Sequence, residues 1–245
     1  MSEWNAPLFF VIAFFYSMIG FGGGSSYIAL MVLTGVSYTV IPITALSCNT
    51  IVAAGNLIHF YFYRELELKK ILPFMLLSVP ASFWAGQLII SEETFCLLLG
   101  ISIFLVAIRL SFAGKTTTVK EISQTKIWIL GLPIGGILGF LSGLLGIGGG
   151  IFLSPMLLML KWSAPRQAAA AASIFILVNS ISGWIGQAQK GISISNSFWI
   201  LALSVFLGGQ LGAFFSKHRL PPRALVRLLA LLIFYVSIRL IMRGL

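Results

Sequence analysis

GLLGIGGGIFLSPMLLML, Gly143 to Leu160, decides the fold, and GFGGGSSYIALMVL, Gly20 to Leu33, repeats its plan. In each copy an apolar segment ends in G-x-G-G-G and a further short apolar stretch follows directly. Glycine costs a helix about 1 kcal/mol relative to alanine, so four glycines in five positions break one. Backbone freed at membrane depth survives only where protein or a water-filled cavity covers it. The helix that restarts after the break aims unpaired N–H groups and a positive dipole end into that cover. This is a backbone-built seat for a small anion. The residues so marked are Gly22, Gly23, Gly24 and Ser25 in the first copy and Gly148, Gly149, Gly150 and Ile151 in the second. Close helix packing alone is the structural alternative for such glycines. Two copies at matching positions favour a site.

Composition sets the setting. The chain has 245 residues, 58% hydrophobic and 9% charged, with a mean hydropathy of +1.02. Apolar runs of about twenty residues recur along it, the mark of a polytopic helical membrane protein. The net charge of +10 then reports topology. No basic run is interleaved with stacking aromatics, so the expected partners are the lipid bilayer and a small anion, and no nucleic acid. No Lys or Arg precedes Arg64, and the first segment lacks the cleavage site of a signal peptide and reads as retained. Cys48 and Cys96 lie in separate apolar runs without metal or redox spacing, so no metal and no cofactor is called for. Cys48 reads as a small buried hydrophobe. Asp is absent, and Glu3, Glu65, Glu67, Glu92, Glu93 and Glu121 fall outside the expected spans. A carboxylate relay at membrane depth is therefore not expected.

Hydropathy places long arms at 5–20 and 127–146, short arms ending near Thr34 and Leu160, and spans near 40–63, 71–90, 95–113, 166–188, 198–216 and 224–243. The polar stretch 114–126 between them reads as a cytoplasmic linker joining a first membrane repeat, 1–113, to a second, 127–245. Landmarks recur in order. Gly20 and Ser47 answer to Gly146 and Ser173, 126 positions on, Gly86-Gln87-Leu88 returns as Gly209-Gln210-Leu211, and Ile108-Arg109-Leu110 returns as Ile238-Arg239-Leu240. Internal duplication of this kind is a common route to a transporter.

Charge chooses between parallel and inverted repeats. If each broken segment crosses once, the better orientation leaves ten Lys/Arg inside and six outside. If each is a re-entrant hairpin, only Lys190, Arg239 and Arg243 remain outside and the other thirteen lie inside. The positive-inside rule favours the second scheme. The expected fold is an all-α polytopic membrane protein of two inverted repeats, each a glycine-broken re-entrant helix hairpin plus three transmembrane helices. Short arms of about half a bilayer fit that scheme, whereas the long first arms exceed what a symmetric hairpin needs.

Polar residues within the spans extend the candidate site. Asn49, Asn56, His59 and Tyr63 form one helical stripe, and Ser173, Ser180 and Gln187 form another. With Ser47 and the recurring Gln87 and Gln210, these groups can line a wet path and donate to an anion, or bond neighbouring helices. His59 reads as interfacial. Gly131, Gly135, Gly139 and Gly143 make a ridge for close helix packing, with Ala168–Ala172 and the Gly208/Gly212 pair acting likewise.

The paired G-x-G-G-G breaks, Ser154-Pro155 after the second and the A-x-x-S-type helix that follows resemble the TauE/SafE family, sulfite exporter or toluene-sulfonate uptake permeases. The first half departs from the pattern at Ser25-Ser26 and at Ala29, which stands where the second copy has Pro155. The resemblance implies a multi-pass permease of the plasma membrane, the inner membrane of a prokaryote, moving sulfite, sulfonates or related oxyanions. The expected function is alternating access with the anion held at midplane by the two helix starts. A channel using the same residues is the alternative, and no Ser-His-Asp, metal cluster or paired carboxylate supports an enzyme. Coupling stays open between a proton carried on the substrate or His59, sodium held by carbonyls and the Ser47 or Ser173 hydroxyls, and uncoupled flux. The oligomeric state, monomer or homodimer, also stays open.

The charge count predicts that single cysteines in 114–126, in a background lacking Cys48 and Cys96, are labelled only from the cytoplasm. Labelling from outside in intact cells contradicts the inverted scheme.

Overall fold

The computed structural model describes residues 6–62, 66–111, 119, 122–192, 198–216 and 223–244, and among them every regular element is a helix. The ten helices are α1 (Ala6–Met18), α2 (Gly24–Leu33), α3 (Ile41–Phe62), α4 (Leu68–Gln87), α5 (Glu92–Ser111), α6 (Gln124–Leu145), α7 (Gly150–Met159), α8 (Pro165–Ala188), α9 (Phe198–Ser216) and α10 (Arg223–Gly244). Among the described residues α3, α6, α8 and α9 are long and apolar enough to cross a membrane. Helices α4, α5 and α10, of 20, 20 and 22 residues, reach about 30 Å or more at 1.5 Å per residue. Most of the 114–126 linker, together with Glu3, Glu65, Glu121 and Tyr63, lies outside the described residues.

Boundaries move in two instructive places. Helix α4 begins and ends earlier than its hydropathy run, so Gln87 is its last residue. Helix α5 begins at Glu92, placing Glu92 and Glu93 in its first turn, where a helix N-terminus favours carboxylates. Glu92 pairs there with Arg243 at the end of α10.

The two halves repeat their backbone in detail. Gly20, Gly23 and Gly35 have positive φ, and so do their counterparts 126 positions on, Gly146, Gly149 and Lys161. Both short helices end alike, with Val36 N donating to Met31 O (2.9 Å) and Trp162 N to Leu157 O (2.9 Å). This is the six-to-one bond of a Schellman cap, closed through a left-handed residue, a conformation Lys161 holds without being glycine.

Packing exchanges one helix between the halves. Helix α4 lies principally against α6 and α8, whereas α1 and α3 pack against α9. One bundle is thus α1, α2, α3 and α9, and the other α6, α7, α8 and α4. They meet along α3 and α8, while α5 and α10 pair beside them. The glycine ridge makes one of these contacts. Cβ atoms added at Gly135, Gly139 and Gly143 would overlap the carbonyls of Phe74, Ser78 and Ser82, so α6 lies along α4 backbone to backbone, in the same direction. Gly208 and Gly212 of α9 stand in the same relation to the Phe10 and Phe14 carbonyls of α1. Helix α5 runs antiparallel to α10, with Gly100 against Ser237 and Ile241 and Gly244 against Glu93 and Leu97.

The long first arms now have a reason. The tip at Gly146 stands against Pro42 at the start of α3, and the tip at Gly20 stands against Ala169 near the start of α8. Each arm therefore overshoots the centre, and the glycine strand runs back before the short helix begins. Helix α6, at 22 residues, has the length of a full span rather than of a hairpin arm.

Gly139→Val should force α4 and α6 apart, an overpacking cost of about 1–3 kcal/mol. The expected result is a lower yield of folded protein and a lower melting midpoint in detergent. Ile137→Val, exposed on the same helix, should change neither.

Candidate site at the crossing of two broken helices

Each short helix starts from a left-handed glycine. Gly23 (φ 91°) caps α2 and Gly149 (φ 72°) caps α7, and neither receives a side-chain cap. Any residue with a Cβ would be strained at these angles. The strands leading into them cross at Asn49, fully buried near the middle of α3. Its side chain stands where Cβ atoms of Gly22, Gly24 and Gly148 would go, and the Gly24 Cβ would lie 2.6 Å from the Ile147 carbonyl oxygen. The two breaks are thus in direct contact around one amide.

Side chains cover most of the freed carbonyls, while those of Ile19, Gly22 and Leu145 find no donor among the described residues. Asn49 Nδ2 donates to Ile147 O (3.2 Å) and Gly146 O (3.4 Å). Asn56 Nδ2 donates to Phe21 O (3.3 Å), and Asn56 Oδ1 accepts from Ser17 Oγ. Ser173 Oγ donates to Gly20 O (2.8 Å), and Gln187 Nε2 to Gly143 O (2.8 Å). The donors come from α3 and α8, and each of these helices reaches both breaks.

The freed amides are not covered. Ser26 N and Tyr27 N bond to Gly23 O, and Phe152 N and Leu153 N to Gly149 O, closing the first turns. The amides of Gly22, Gly23, Gly24 and Ser25, and of Gly148, Gly149 and Ile151, find no acceptor among the described residues. All seven residues are buried. Asn49 Oδ1, Ser180 Oγ and Tyr27 Oη are buried without partners as well. Ser180 Oγ lies 3.3 Å from where a Gly148 Cβ would stand.

The residues marked in the sequence divide accordingly. Gly22, Gly23, Gly24, Ser25, Asn49, Gly148, Gly149, Gly150, Ile151 and Ser180 gather at the crossing, with Gly150 packed on Ala172 and Ile176. Asn56 and Ser173 hold break carbonyls, and the Ala168–Ala172 run lets Gly20 and Gly150 approach α8 closely. Ser47 is half-buried and donates to Ile43 O of its own helix (2.8 Å). Gln210 lies against Gly55 on the α3/α9 contact, and Gln87 ends α4 beside the contact of Gly86 with Gly183 and Gly186. Tyr16, Ser26 and Tyr27 also stand at the first start; for Ser26 and Tyr27 the sequence signal is the hydroxyl-rich start of α2 against the apolar start of α7, and for Tyr16 on α1 there is none.

Among the described residues, ten helices with two crossed, uncapped helix starts have the make-up of a polytopic helical membrane protein, and sequence similarity places it among membrane transporters. The sulfite exporter TauE/SafE family model matches residues 6–240, and the chain belongs to that family. It is 32% identical over 240 residues, 96% of each chain, to a probable membrane transporter protein, y4hK, of Sinorhizobium fredii. It is 23% identical over 258 residues to the probable membrane transporter YunE of Bacillus subtilis, covering 93% of each chain. A shorter match, 36% identical over 87 residues and 35% of this chain, is to the sulfite exporter TauE/SafE family protein 1 of Arabidopsis thaliana, of which it covers 19%. No solved structure matches the chain.

Asn49→Leu strips two buried carbonyls of their donor, and an unsatisfied buried polar group costs about 1–3 kcal/mol. The variant should fold with a clearly lowered melting midpoint and lose transport activity. An unchanged midpoint would show that Asn49 does not hold the crossing.

Proposed function

We propose that this protein is a secondary transporter of a small anion in the plasma membrane, working by alternating access, with the anion on the bare amides of the two helix starts. One observation carries the reading. At both breaks most of the carbonyls are held by Asn49, Asn56, Ser173 and Gln187, while seven backbone N–H groups at the starts of α2 and α7 are left open beside the unpaired Asn49 Oδ1. A sodium ion needs free oxygens and an anion needs free donors, and the seven open amides with the Ser180 and Tyr27 hydroxyls outnumber the open oxygens that can only accept, so this distribution favours the anion. The printed name of the Arabidopsis relative, a sulfite exporter family protein, points to a sulfur oxyanion.

Helix directions support inverted repeats. Helix α5 runs antiparallel to its counterpart α10, and with α6 running along α4 and α1 along α9, the corresponding arms α1 and α6 point oppositely. Two re-entrant hairpins entering from opposite faces have that arrangement. The moving bodies in this reading are the exchanged bundles, sliding along the α3/α8 contact, and not the sequence halves. Coupling needs no carboxylate. Glu67 is bound to Lys70 and Gln167 at the α4 and α8 starts, and Glu92 to Arg243, all at helix ends. An inside-negative potential already drives anion exit.

Proteoliposomes with sulfite inside, and potential and pH gradient set independently, test this. The expected flux follows potential, shows counterflow and survives each Glu→Gln substitution. Flux without counterflow supports the channel alternative. A pH-driven flux lost in one Glu→Gln variant overturns the carboxylate-free coupling.

A further inference from the structure

The charge available at the crossing is small and comes from the backbone. The side chains against the glycine strands are Asn49, Tyr27, Phe175, Ile176 and Ser180, none of them charged. Lys190 reaches the second arm only through Gln187. It donates to Gln187 Oε1 (3.0 Å), and Gln187 in turn holds Gly143 O. Two helix starts of about half a positive charge each supply about one unit together. The Born cost of stripping water from an ion rises with the square of its charge, so a dianion costs about four times a monoanion of equal size. One unit of fixed positive charge balances the first and leaves the second uncompensated.

The two starts are not equivalent. The first turn of α7 carries Ile151, Phe152 and Leu153, which donate nothing from their side chains. The first turn of α2 carries Ser25, Ser26 and Tyr27. Tyr16 Oη of α1 takes Ser26 Oγ at 2.8 Å and Ser25 Oγ at 3.4 Å. Tyr27 stacks on Phe9, ring centroids 4.8 Å apart, and is 0% exposed. Its ring folds back over the capping glycine, so that a Gly23 Cβ would stand 2.9 Å from the hydroxyl oxygen. That hydroxyl has no partner. A buried, unpaired O–H beside four unpaired amides is a donor awaiting an acceptor.

We propose that the site takes a monovalent oxyanion and seats it at the start of α2, where the Tyr27 hydroxyl donates to it beside the amides of Gly22 to Ser25. This rests on the anion reading above and adds charge and position to it.

Methanesulfonate and sulfate test it, since both carry tetrahedral sulfur and hold fixed charges of one and two near neutral pH. Binding of each to the full-length protein in nanodiscs is measured by calorimetry, for the wild type and Tyr27→Phe. The wild type should bind methanesulfonate at least tenfold more tightly than sulfate. Tyr27→Phe keeps the ring on Phe9, so its melting midpoint without ligand should stay or rise. Its methanesulfonate affinity should fall about tenfold, the scale of one hydrogen bond to a charged acceptor. Equal or tighter sulfate binding overturns the charge assignment. Unchanged affinity in Tyr27→Phe, or a lowered midpoint without ligand, overturns the seat. If the wild type binds neither ion, the anion reading itself falls.

Discussion

Everything in this structure depends on the disposal of backbone polar groups at two breaks buried inside a lipid-soluble fold. A broken helix frees both carbonyls and amides, and neither can be left to hydrocarbon. Here α3 and α8 take most of the carbonyls with amide and hydroxyl side chains placed along one stripe of each helix. The amides stay open and are buried together. Chemical polarity at the centre therefore follows from which half of the peptide group the side chains satisfy. Asn49 is the hinge of that division, since one amide holds the second break while filling the space beside the first.

Exchange of α4 and α9 makes the crossing mechanically sound. If each half packed only on itself, no helix would tie the two sequence halves together beside the breaks. Instead the glycine ridge of α6 locks onto α4 of the other half, and Gly208 and Gly212 lock α9 onto α1. Close backbone contact of this kind needs small residues because lipid offers no hydrophobic drive between helices. The α3/α8 contact is left as the one extended seam between bundles, and both glycine crossings lie on it. A seam that carries the site is where relative motion would open it.

Much of this was legible in the chain and some was not, for physical reasons. Helix positions followed from hydropathy, and the breaks from glycine placed where no helix tolerates it. The ridge followed from a four-residue glycine period. Partner choice did not follow, because periodicity shows that Gly139 wants a neighbour and not that the neighbour is Ser78. Ser47 and Ser173 look equivalent in sequence and both bond their own helices, yet only Ser173 also reaches a break, at the Gly20 carbonyl. The sequence places a hydroxyl at Tyr27, and only the fold shows it to be alone. The long arms made sense only once their tips were seen to overshoot the centre.

The central claim is that the open amides at the crossing hold an anion. Bromide is monovalent and scatters anomalously, so an anomalous difference map from crystals grown in bromide locates it without assumptions about the native substrate. The account predicts a peak between Gly22–Ser25 and Gly148–Ile151, weakened in Asn49→Leu. Peaks confined to lysines and arginines at the helix ends, with none at the crossing, would contradict it.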